Sequence, residues 1–300
     1  MRILGLLREG KIPSDQRAVL NPAQCQELLK SHPDWEIWLQ PSSRRAIADA
    51  DYADAGCRIT EDLSACELII SVKEVPVEQL VPGATHVFFS HTYKHQEYNR
   101  GLLQACLDKK VRLIDWELLR RKGKRLIGFG EYAGLVGAYE ALRGWGIQRG
   151  TWSFTPAASL ARVAALKSEL AQHAWSPDAR VVVTGVGRVG HGASEMLRSG
   201  GFREVSAADF LKNPMGPCFT VLGAERYAAR KSDGGYDRNE FRTKPELYRS
   251  ALATYLEVAQ VYLPCHFYAA GGPAFFTAND LLRPENRMEF VGDISCDIAG

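Results

Sequence analysis

The sequence has almost no net charge and no long hydrophobic run. Its 37 Lys and Arg are nearly balanced by 35 Asp and Glu, which gives a formal net charge of +2. Such a balance provides no global attraction to nucleic acid or to an anionic membrane surface. No stretch reaches the roughly 18 apolar residues that a membrane-spanning helix needs. We therefore expect neither nucleic acid nor a membrane as a partner.

The cysteines form neither a disulfide pattern nor a metal-binding pattern. Seven cysteines are scattered without a CxxC pair, and no Cys/His cluster has the spacing of metal ligands. An odd number of scattered cysteines is typical of reduced thiols in the cytosol. The first residues, MRILGLLREGK, are too short and too soon charged for a signal peptide. These features predict a cytoplasmic protein without a metal site.

Apolar runs alternate with helical patterns along the first half of the chain. Strands are expected at RILGLL, WEIWLQ, CELIISV, THVFFS and VRLIDW, with a first helix in NPAQCQELLKSHP capped by Asn21. Continuous apolar runs are typical of parallel strands covered on both faces. Their alternation with helices predicts a doubly wound α/β unit.

The second half predicts another α/β unit. A glycine-rich helix at 131–152 is expected to cross between domains, and strands are expected at EVSAAD, VAQVYLPC and MEFVGDIS. The polar stretch near 225–255 predicts an insertion with some helix. We thus expect an α/β protein of two Rossmann-like, doubly wound parallel-sheet domains with a cleft between them. We expect residues 1–130 to form the first domain and residues 153–300 the second.

The chain stops at GDISCDIAG, directly after an expected strand. Native chains more often end in a docked or plainly disordered segment. We therefore expect this sequence to be a fragment of a longer chain.

A glycine loop marks the expected cofactor site. Gly185, Gly187 and Gly190 form GxGxxG after a β-branched run and before a helical pattern, with Arg188 and Val189 inside the loop. The first glycine allows a tight turn, the second lets the backbone approach a pyrophosphate, and the third lets helix and strand pack closely. In this context the pattern predicts dinucleotide binding at the helix N-terminus.

The expected cofactor is NAD. The fingerprint also needs an acid about 20 residues further on, at the end of the next strand, and Asp209 in EVSAADF has that spacing. A carboxylate accepts a hydrogen bond from the ribose 2′-OH and repels a 2′-phosphate, which favours NAD over NADP. Lys212, close to Asp209, weakens that preference.

Titratable residues follow successive expected strands. Lys73 follows CELIISV, and His91 follows THVFFS. Ligands of open parallel sheets bind outside the carboxyl ends of the strands, so we expect these side chains in one crevice, which the NAD domain faces. A lone Lys or His at such a position is more often solvated than catalytic. The same edge receives further charged residues from neighbouring strands: Arg8, Arg17, Asp115 and Glu117.

Two of the carboxylates leave alternatives open. Asp115 is either a member of the crevice or a turn residue and helix cap. Glu74 is either an exposed carboxylate or one that tunes the pKa of its neighbour Lys73.

Several segments together resemble a known family. LREGKIPSDQRAVLNP, SVKEVP, FFSHTYKHQ, LIDWEL and GFGEYAGLVGA are similar to the lysine-forming, NAD-dependent saccharopine dehydrogenases. These belong to a wider group with alanine dehydrogenase and the NAD-binding part of transhydrogenase. SHTYKHQ and FGEYAG are closer to saccharopine dehydrogenase, whereas the lysine and histidine are shared across the group. The resemblance also implies a C-terminal segment, absent here, that completes the first domain.

The resemblance implies a reaction and roles for particular residues. Hydride passes from saccharopine to NAD, and water cleaves the resulting imine to L-lysine and 2-oxoglutarate. Lys73 matches the base of the amine step, and His91 matches the acid–base group of the hydrolytic steps. Lysine is a base only if its pKa is lowered, and nearby positive charge lowers it. The other matched positions tune these groups (Glu74, Glu117, Lys94) or bind substrate (Arg17, Phe129, Asp297).

Three hypotheses remain open from the sequence. The first is saccharopine dehydrogenase. The second is alanine dehydrogenase or another opine-type amino-acid dehydrogenase. The third is an NAD-binding regulator without catalytic activity. A small amino-acid or oxo-acid substrate is the expected partner of either enzyme, and a homo-oligomer is compatible with each hypothesis.

Overall fold

The computed structural model describes residues 2–12, 15–95, 97–160, 162–268 and 271–295. The chain divides into two compact units, Met1–Gly128 and Phe129–Gly300. Within the described ranges, no helix is long and apolar enough to cross a membrane.

The first unit is built on a parallel sheet. Its strands are β1 (Arg2–Leu6), β2 (Trp35–Leu39), β3 (Arg58–Ile59), β4 (Leu68–Ile70), β5 (Thr85–Phe88) and β6 (Arg112–Asp115). They lie in the order β3-β2-β1-β4-β5-β6, and each strand is parallel to its neighbours. A small antiparallel ribbon follows, formed by β7 (Arg120–Arg121) and β8 (Lys124–Arg125). The helices of this unit are α1 (Pro22–Ser31), α2 (Asp49–Asp54) and α3 (Arg100–Asp108).

Both faces of this sheet are covered, as the continuous apolar strands predict. Successive side chains of a strand point to opposite faces, so Ile69 and Ile70 enter different cores. Ile69 shares its core with Leu102 from α3, and Ile70 shares its core with Tyr52 from α2. The five expected strands are confirmed, whereas the two-residue β3 was missed because it carries no apolar run. Asn21 caps α1 in a reciprocal capping box with Gln24.

The second unit holds another parallel sheet. Its strands are β9 (Arg180–Thr184), β10 (Arg203–Glu204), β11 (Cys218–Leu222), β14 (Val261–Pro264) and β15 (Phe290–Val291), in the order β10-β11-β9-β14-β15. A separate antiparallel pair is formed by β12 (Ala228–Arg230) and β13 (Tyr248–Ser250). The longer helices are α4 (Gly130–Arg149), α5 (Val163–Ala171) and α6 (Arg188–Ser199). The short helices are α7 (Ala207–Phe210), α8 (Ala224–Tyr227), α9 (Arg238–Thr243), α10 (Ala253–Leu256) and α11 (Ala278–Leu281).

The helix expected at 131–152 is α4, and it packs closely against α6 inside the second unit. A Cβ on Gly134 would lie 1.9 Å from the carbonyl oxygen of Val189, and one on Gly192 would lie 2.0 Å from that of Glu131. The glycines therefore let the two backbones touch, which larger side chains would prevent.

The polar stretch near 225–255 covers one face of this sheet. Val182 of β9 packs in a core with Phe241 of α9 and Tyr248 of β13. Val181 and Val183 point to the opposite face, where α4, α5 and α6 contribute the core. The segment thus contains helix, as expected, but also the β12–β13 ribbon, and together they form a layer of the fold.

The expected strand at EVSAAD is wrong. Only Arg203–Glu204 is strand, and Asp209 lies in helix α7, where the Ser206 hydroxyl accepts a hydrogen bond from its backbone N–H. A serine cap competes with strand geometry and starts a helix here. The strand next to β9 is the unpredicted β11, with Leu222 opposite Thr184. The α/β class with two parallel sheets is confirmed.

Candidate active site

Four predicted residues meet at the carboxyl edge of the first sheet. His91 Nδ1 lies 2.8 Å from Glu74 Oε1, and His91 Nε2 lies 3.9 Å from Glu117 Oε2. Arg125 in turn lies 3.1 Å from Glu117 Oε1. Lys73 directly precedes Glu74 in the same turn after β4. Parallel strands end at one edge, and this brings residues 17 to 44 positions apart in sequence into one cluster.

Asp115 holds the turn that carries His91. Its Oδ2 accepts hydrogen bonds from the backbone N–H of Ser90 at 3.0 Å and of His91 at 3.1 Å, and from the Ser90 hydroxyl at 2.6 Å. His91 has a left-handed backbone with φ of 54°, which few non-glycine residues adopt without such support. Oδ1 of Asp115 accepts from the N–H of Glu117 at 2.8 Å. Asp115 is therefore a cap and a positioning residue.

Glu74 links His91 to Lys11. Its Oε2 accepts a hydrogen bond from Lys11 Nζ at 2.9 Å while Oε1 faces the imidazole. Burial raises the pKa of this carboxyl, but the hydrogen bonds from Lys11 and His91 outweigh it and hold the pKa below its usual range. Glu74 is thus ionised at neutral pH and orients the imidazole beside it.

Glu9 is a member of the cluster that sequence reasoning missed. Its two oxygens accept the backbone N–H groups of Val72 at 2.6 Å and Lys73 at 2.8 Å. Burial raises the pKa of Glu9, partly opposed by these two hydrogen bonds. Glu9 and Lys11 follow Arg8 in REGK, so the strand-end rule that selected Arg8 led to this loop without identifying these two residues.

Lys73 is half-buried in this cluster. Across the described ranges, no hydrogen bond or ion pair to its amine is found. Glu9 fixes the Lys73 backbone, and the charge of Lys73 helps to lower the pKa of Asp15. An amine on a fixed backbone and without a carboxylate partner is available to exchange a proton with a bound substrate.

The two arginines after β1 have different partners. Arg17 donates to Asp15 from Nε at 2.9 Å and from an Nη at 2.5 Å, and this hydrogen bonding lowers the pKa of Asp15. Arg8 instead donates to both oxygens of Glu61 at 2.8 Å and to the carbonyl of Pro41. The charge of Arg17 also acts on Glu9, where it opposes the rise in pKa. Arg17 is therefore electrostatically coupled to the cluster, whereas Arg8 is paired with Glu61.

The glycine loop of the second unit has the shape that a dinucleotide requires. Gly185 has φ of 101°, and a Cβ there would lie 2.6 Å from the carbonyl oxygen of Cys265. A Cβ on Gly190 would lie 1.9 Å from the oxygen of Gly185, whereas one on Gly187 would meet nothing within 4 Å. The first and third glycines thus serve close packing. The second leaves open space at the N-terminus of α6.

This space belongs to a cavity of about 630 Å³ within the second unit. The glycine loop contributes residues 185–189, including Arg188 and Val189. Glu225 follows β11, Arg238 and Arg242 come from α9, and His266 follows β14. The cavity therefore lies at the carboxyl ends of β11, β9 and β14, where the strand order of the sheet reverses.

His266 is a second residue that the sequence did not reveal. Its Nδ1 lies 2.7 Å from the hydroxyl of Thr184, which also lies 3.1 Å from the hydroxyl of Tyr262. Burial raises the pKa of Tyr262 above its usual range. The signal that could have found His266 is its place directly after an expected strand, VAQVYLPC.

The remaining predicted residues lie apart from these clusters or outside the described part. Asp209 does not line the cavity, and its carboxylate pairs with Lys212 at 2.8 Å on an exposed surface. Phe129 lies at the start of α4 and is 42% exposed. Asp297 and the side chain of Lys94 lie outside the described residues. No group of three or more His, Cys, Asp or Glu able to hold a metal ion occurs within the described ranges.

Comparison with known proteins assigns the first part of the chain. Residues 5–136 match the family described as alanine dehydrogenase/PNT, N-terminal domain. The match covers somewhat less than half of the chain. The resemblance drawn from the strand-end motifs is thereby confirmed, because this N-terminal domain carries the Lys73 and His91 segments.

Relatives extend the likeness beyond the N-terminal domain. The alpha-aminoadipic semialdehyde synthase, mitochondrial, of Bos taurus is 34% identical over 84% of this chain and 30% of its own length. The saccharopine dehydrogenase [NAD(+), L-lysine-forming] of Yarrowia lipolytica is 28% identical over 66% of this chain and 58% of its own length. The chain thus spans about a third of the first relative and somewhat more than half of the second. Both relatives are named as enzymes.

A solved structure supports the fold over nearly the whole chain. An L-alanine dehydrogenase aligns with a TM-score of 0.54 at 13% identity, covering 93% of this chain and 70% of that one. At this identity the likeness concerns the fold, and it extends to both α/β units.

Proposed function

We propose that the chain is an oxidoreductase of lysine metabolism that acts on the CH–NH group of saccharopine. Saccharopine, water and the oxidised dinucleotide give L-lysine, 2-oxoglutarate, the reduced dinucleotide and a proton. The observation that carries the proposal is the cluster of Lys73, Glu74, His91 and Glu117 at one sheet edge. The names of the relatives support lysine metabolism as its setting.

Lys73 is proposed as the base that takes the proton of the secondary amine. Its amine has no carboxylate partner among the described residues, and Glu9 fixes its backbone. His91 is proposed to move protons to and from water during imine hydrolysis. Glu74 keeps the imidazole oriented through Nδ1, which leaves Nε2 toward Glu117 as the reactive side.

Substrate carboxylates need a cation, and Arg17 is the proposed ligand. A guanidinium can hold a carboxylate with two parallel hydrogen bonds. Arg17 is 41% exposed and keeps Asp15 as an orienting partner. Phe129 and Asp297 stay proposed substrate contacts on the strength of the resemblance alone.

The cofactor is proposed to be a nicotinamide adenine dinucleotide held by the second unit. Gly185, Gly187, Arg188, Val189 and Gly190 would hold its pyrophosphate, since the loop leaves open space in front of Gly187. A bound dinucleotide would supply the hydride acceptor for the carbon that bears the secondary amine. The NAD preference inferred from Asp209 loses its structural basis, because Asp209 lies away from the cavity.

The second candidate is an alanine dehydrogenase. The fold likeness to an L-alanine dehydrogenase and the shared N-terminal family favour it. The third candidate, a dinucleotide-binding regulator, predicts binding without turnover.

One assay separates the three candidates. The purified chain is given reduced dinucleotide, NADH or NADPH, and its oxidation is followed by absorbance. L-Lysine plus 2-oxoglutarate should support oxidation, and pyruvate plus ammonia should not. Oxidation with pyruvate plus ammonia alone would establish the alanine reaction. Binding of dinucleotide with no oxidation by either pair would favour the regulator.

A further inference from the structure

The cavity beside the glycine loop has a defined ribose side. In doubly wound dinucleotide-binding sheets, the ribose is read at the end of the strand next to the glycine-loop strand, on the side away from the order reversal. Here that strand is β11, which pairs with β9 along Cys218–Leu222. Residues just after Leu222, and the layer that covers them, would therefore face the adenosine ribose of a bound dinucleotide. Asp209 follows β10, one strand further out.

Helix α9 brings two arginines to this cavity. Arg238 and Arg242 are four residues apart, so they lie on the same face of the helix, and both line the cavity. Both are exposed. Throughout the described ranges, neither makes an ion pair or a side-chain hydrogen bond.

The acids near these arginines are occupied elsewhere. Glu240 accepts hydrogen bonds from Arg230 at 2.7 Å and from the Tyr248 hydroxyl at 2.6 Å. Asp237 caps α9 by accepting from the Glu240 N–H at 2.8 Å. Neither of these acids forms an ion pair with Arg238 or Arg242 within the described part of the chain.

Glu225 is the competing feature. It lines the cavity, it is exposed, and it comes three residues after β11 ends. A carboxylate there could accept a hydrogen bond from a ribose hydroxyl and would select a dinucleotide without a 2′-phosphate. Against this single carboxylate, the lining contains Arg188, Arg238 and Arg242, so the cavity favours an anion beyond the pyrophosphate.

We propose that Arg238 and Arg242 bind the 2′-phosphate of the adenosine ribose, so that the chain prefers NADP(H) to NAD(H). The proposal rests on the proposed dinucleotide site and adds its specificity. It also gives the segment near 225–255 a function, because this segment carries the arginines and packs against the sheet beside β9. Guanidinium groups are well suited to hold phosphate through charge-assisted hydrogen bonds.

The test is calorimetric titration of the chain with NADP⁺ and with NAD⁺, which needs no turnover. NADP⁺ should bind at least ~10-fold more tightly than NAD⁺. The double variant Arg238→Ala/Arg242→Ala should weaken NADP⁺ binding by roughly 10- to 100-fold and leave NAD⁺ binding within about twofold. Arg249→Ala is the matched control: Arg249 is an exposed arginine of the same segment that does not line the cavity. It should change neither affinity.

Each other outcome has a definite meaning. Equal affinities for NADP⁺ and NAD⁺, unchanged in the double variant, would overturn the proposal. Tighter binding of NAD⁺ than of NADP⁺ that is lost in Glu225→Gln would overturn it as well. A parallel loss of both affinities in the double variant would place the arginines on the pyrophosphate and would also overturn the 2′-phosphate assignment. Failure of wild-type chain to bind either dinucleotide would refute the proposed cofactor site itself. Titration with 2′,5′-ADP and 5′-ADP in the double variant gives the same comparison without the nicotinamide.

Discussion

His91 and Glu74 form a hydrogen-bonded pair, with Nδ1 2.8 Å from Oε1. The second oxygen of Glu74 binds Lys11, so the carboxylate is fixed from both sides and stays ionised. A fixed carboxylate holds the imidazole in one orientation through Nδ1. This pair is the arrangement that makes the sheet edge suited to acid–base chemistry.

Replacing Glu74 should slow the reaction. In Glu74→Gln the carboxylate that faces His91 Nδ1 and accepts a hydrogen bond from Lys11 is lost, so the imidazole is less firmly oriented. The kcat/KM of lysine-dependent oxidation should therefore fall by roughly 10-fold, less than the loss of an acid–base group itself. Glu61→Gln, which alters the exposed partner of Arg8, is the control and should leave kcat/KM unchanged. A Glu74→Gln enzyme with wild-type kcat/KM would mean that Glu74 does not support His91.

Loss of the Lys73 amine should slow the hydride step. Lys73→Met keeps the unbranched stem of the side chain and removes the base, so kcat should fall by ~10²-fold, the lower end of general-base effects. Lys30→Met, in an exposed lysine of α1, should leave kcat unchanged. Circular dichroism of both variants checks that they fold. A Lys73→Met enzyme with near wild-type kcat over the whole pH range would contradict the role.

The glycines of the dinucleotide loop should respond differently to alanine. Gly187→Ala meets no atom within 4 Å, so the free energy of unfolding should stay within about 0.5 kcal/mol while dinucleotide affinity falls at least ~10-fold. Gly190→Ala places a methyl group 1.9 Å from the Gly185 oxygen. It should lower the free energy of unfolding by at least about 1–3 kcal/mol. Urea unfolding and dinucleotide titration measure the two effects. A stable Gly187→Ala variant with unaltered affinity would remove that loop position from the site.

His86 should make the free energy of unfolding depend on pH. It is fully buried, its Nε2 accepts the N–H of Val81, and burial lowers its pKa from 6.5 to about 4. The unfolded chain therefore binds more protons between these values, so stability is complete above pH 6.5 and is lost as pH falls toward 4. From pH 7.5 to 5.5 the wild type should lose about 1 kcal/mol more than His86→Gln, which does not titrate. Equal losses in urea unfolding would contradict this account.

Much of the candidate site could be predicted from the sequence, because the end of a strand can be recognised as the end of an apolar run. Lys73, His91 and Glu117 come directly after apolar runs, and a parallel sheet brings such ends to one edge. The partners that complete the cluster were less visible. Glu9 and Lys11 sit in a loop whose path is set by tertiary hydrogen bonds to Val72, Lys73 and Glu74, which no local pattern encodes.

The second sheet shows where spacing misleads. Asp209 has the separation from the glycine loop that the fingerprint needs, yet Ser206 starts a helix before it. CFTVL, an apolar run overlooked because EVSAAD filled the expected place, supplies the strand beside β9. The order of strands in a sheet depends on packing between distant residues, so sequence distance alone cannot fix which acid or arginine meets the ribose.

The most direct test of the proposed reaction is to identify its product. The chain is incubated with ¹⁵N-labelled L-lysine, 2-oxoglutarate and NADPH or NADH, and the mixture is examined by mass spectrometry. The account predicts labelled saccharopine, formed in step with dinucleotide oxidation and strongly reduced in Lys73→Met. Dinucleotide oxidation without saccharopine, or none with lysine while pyruvate and ammonia give alanine, would contradict it.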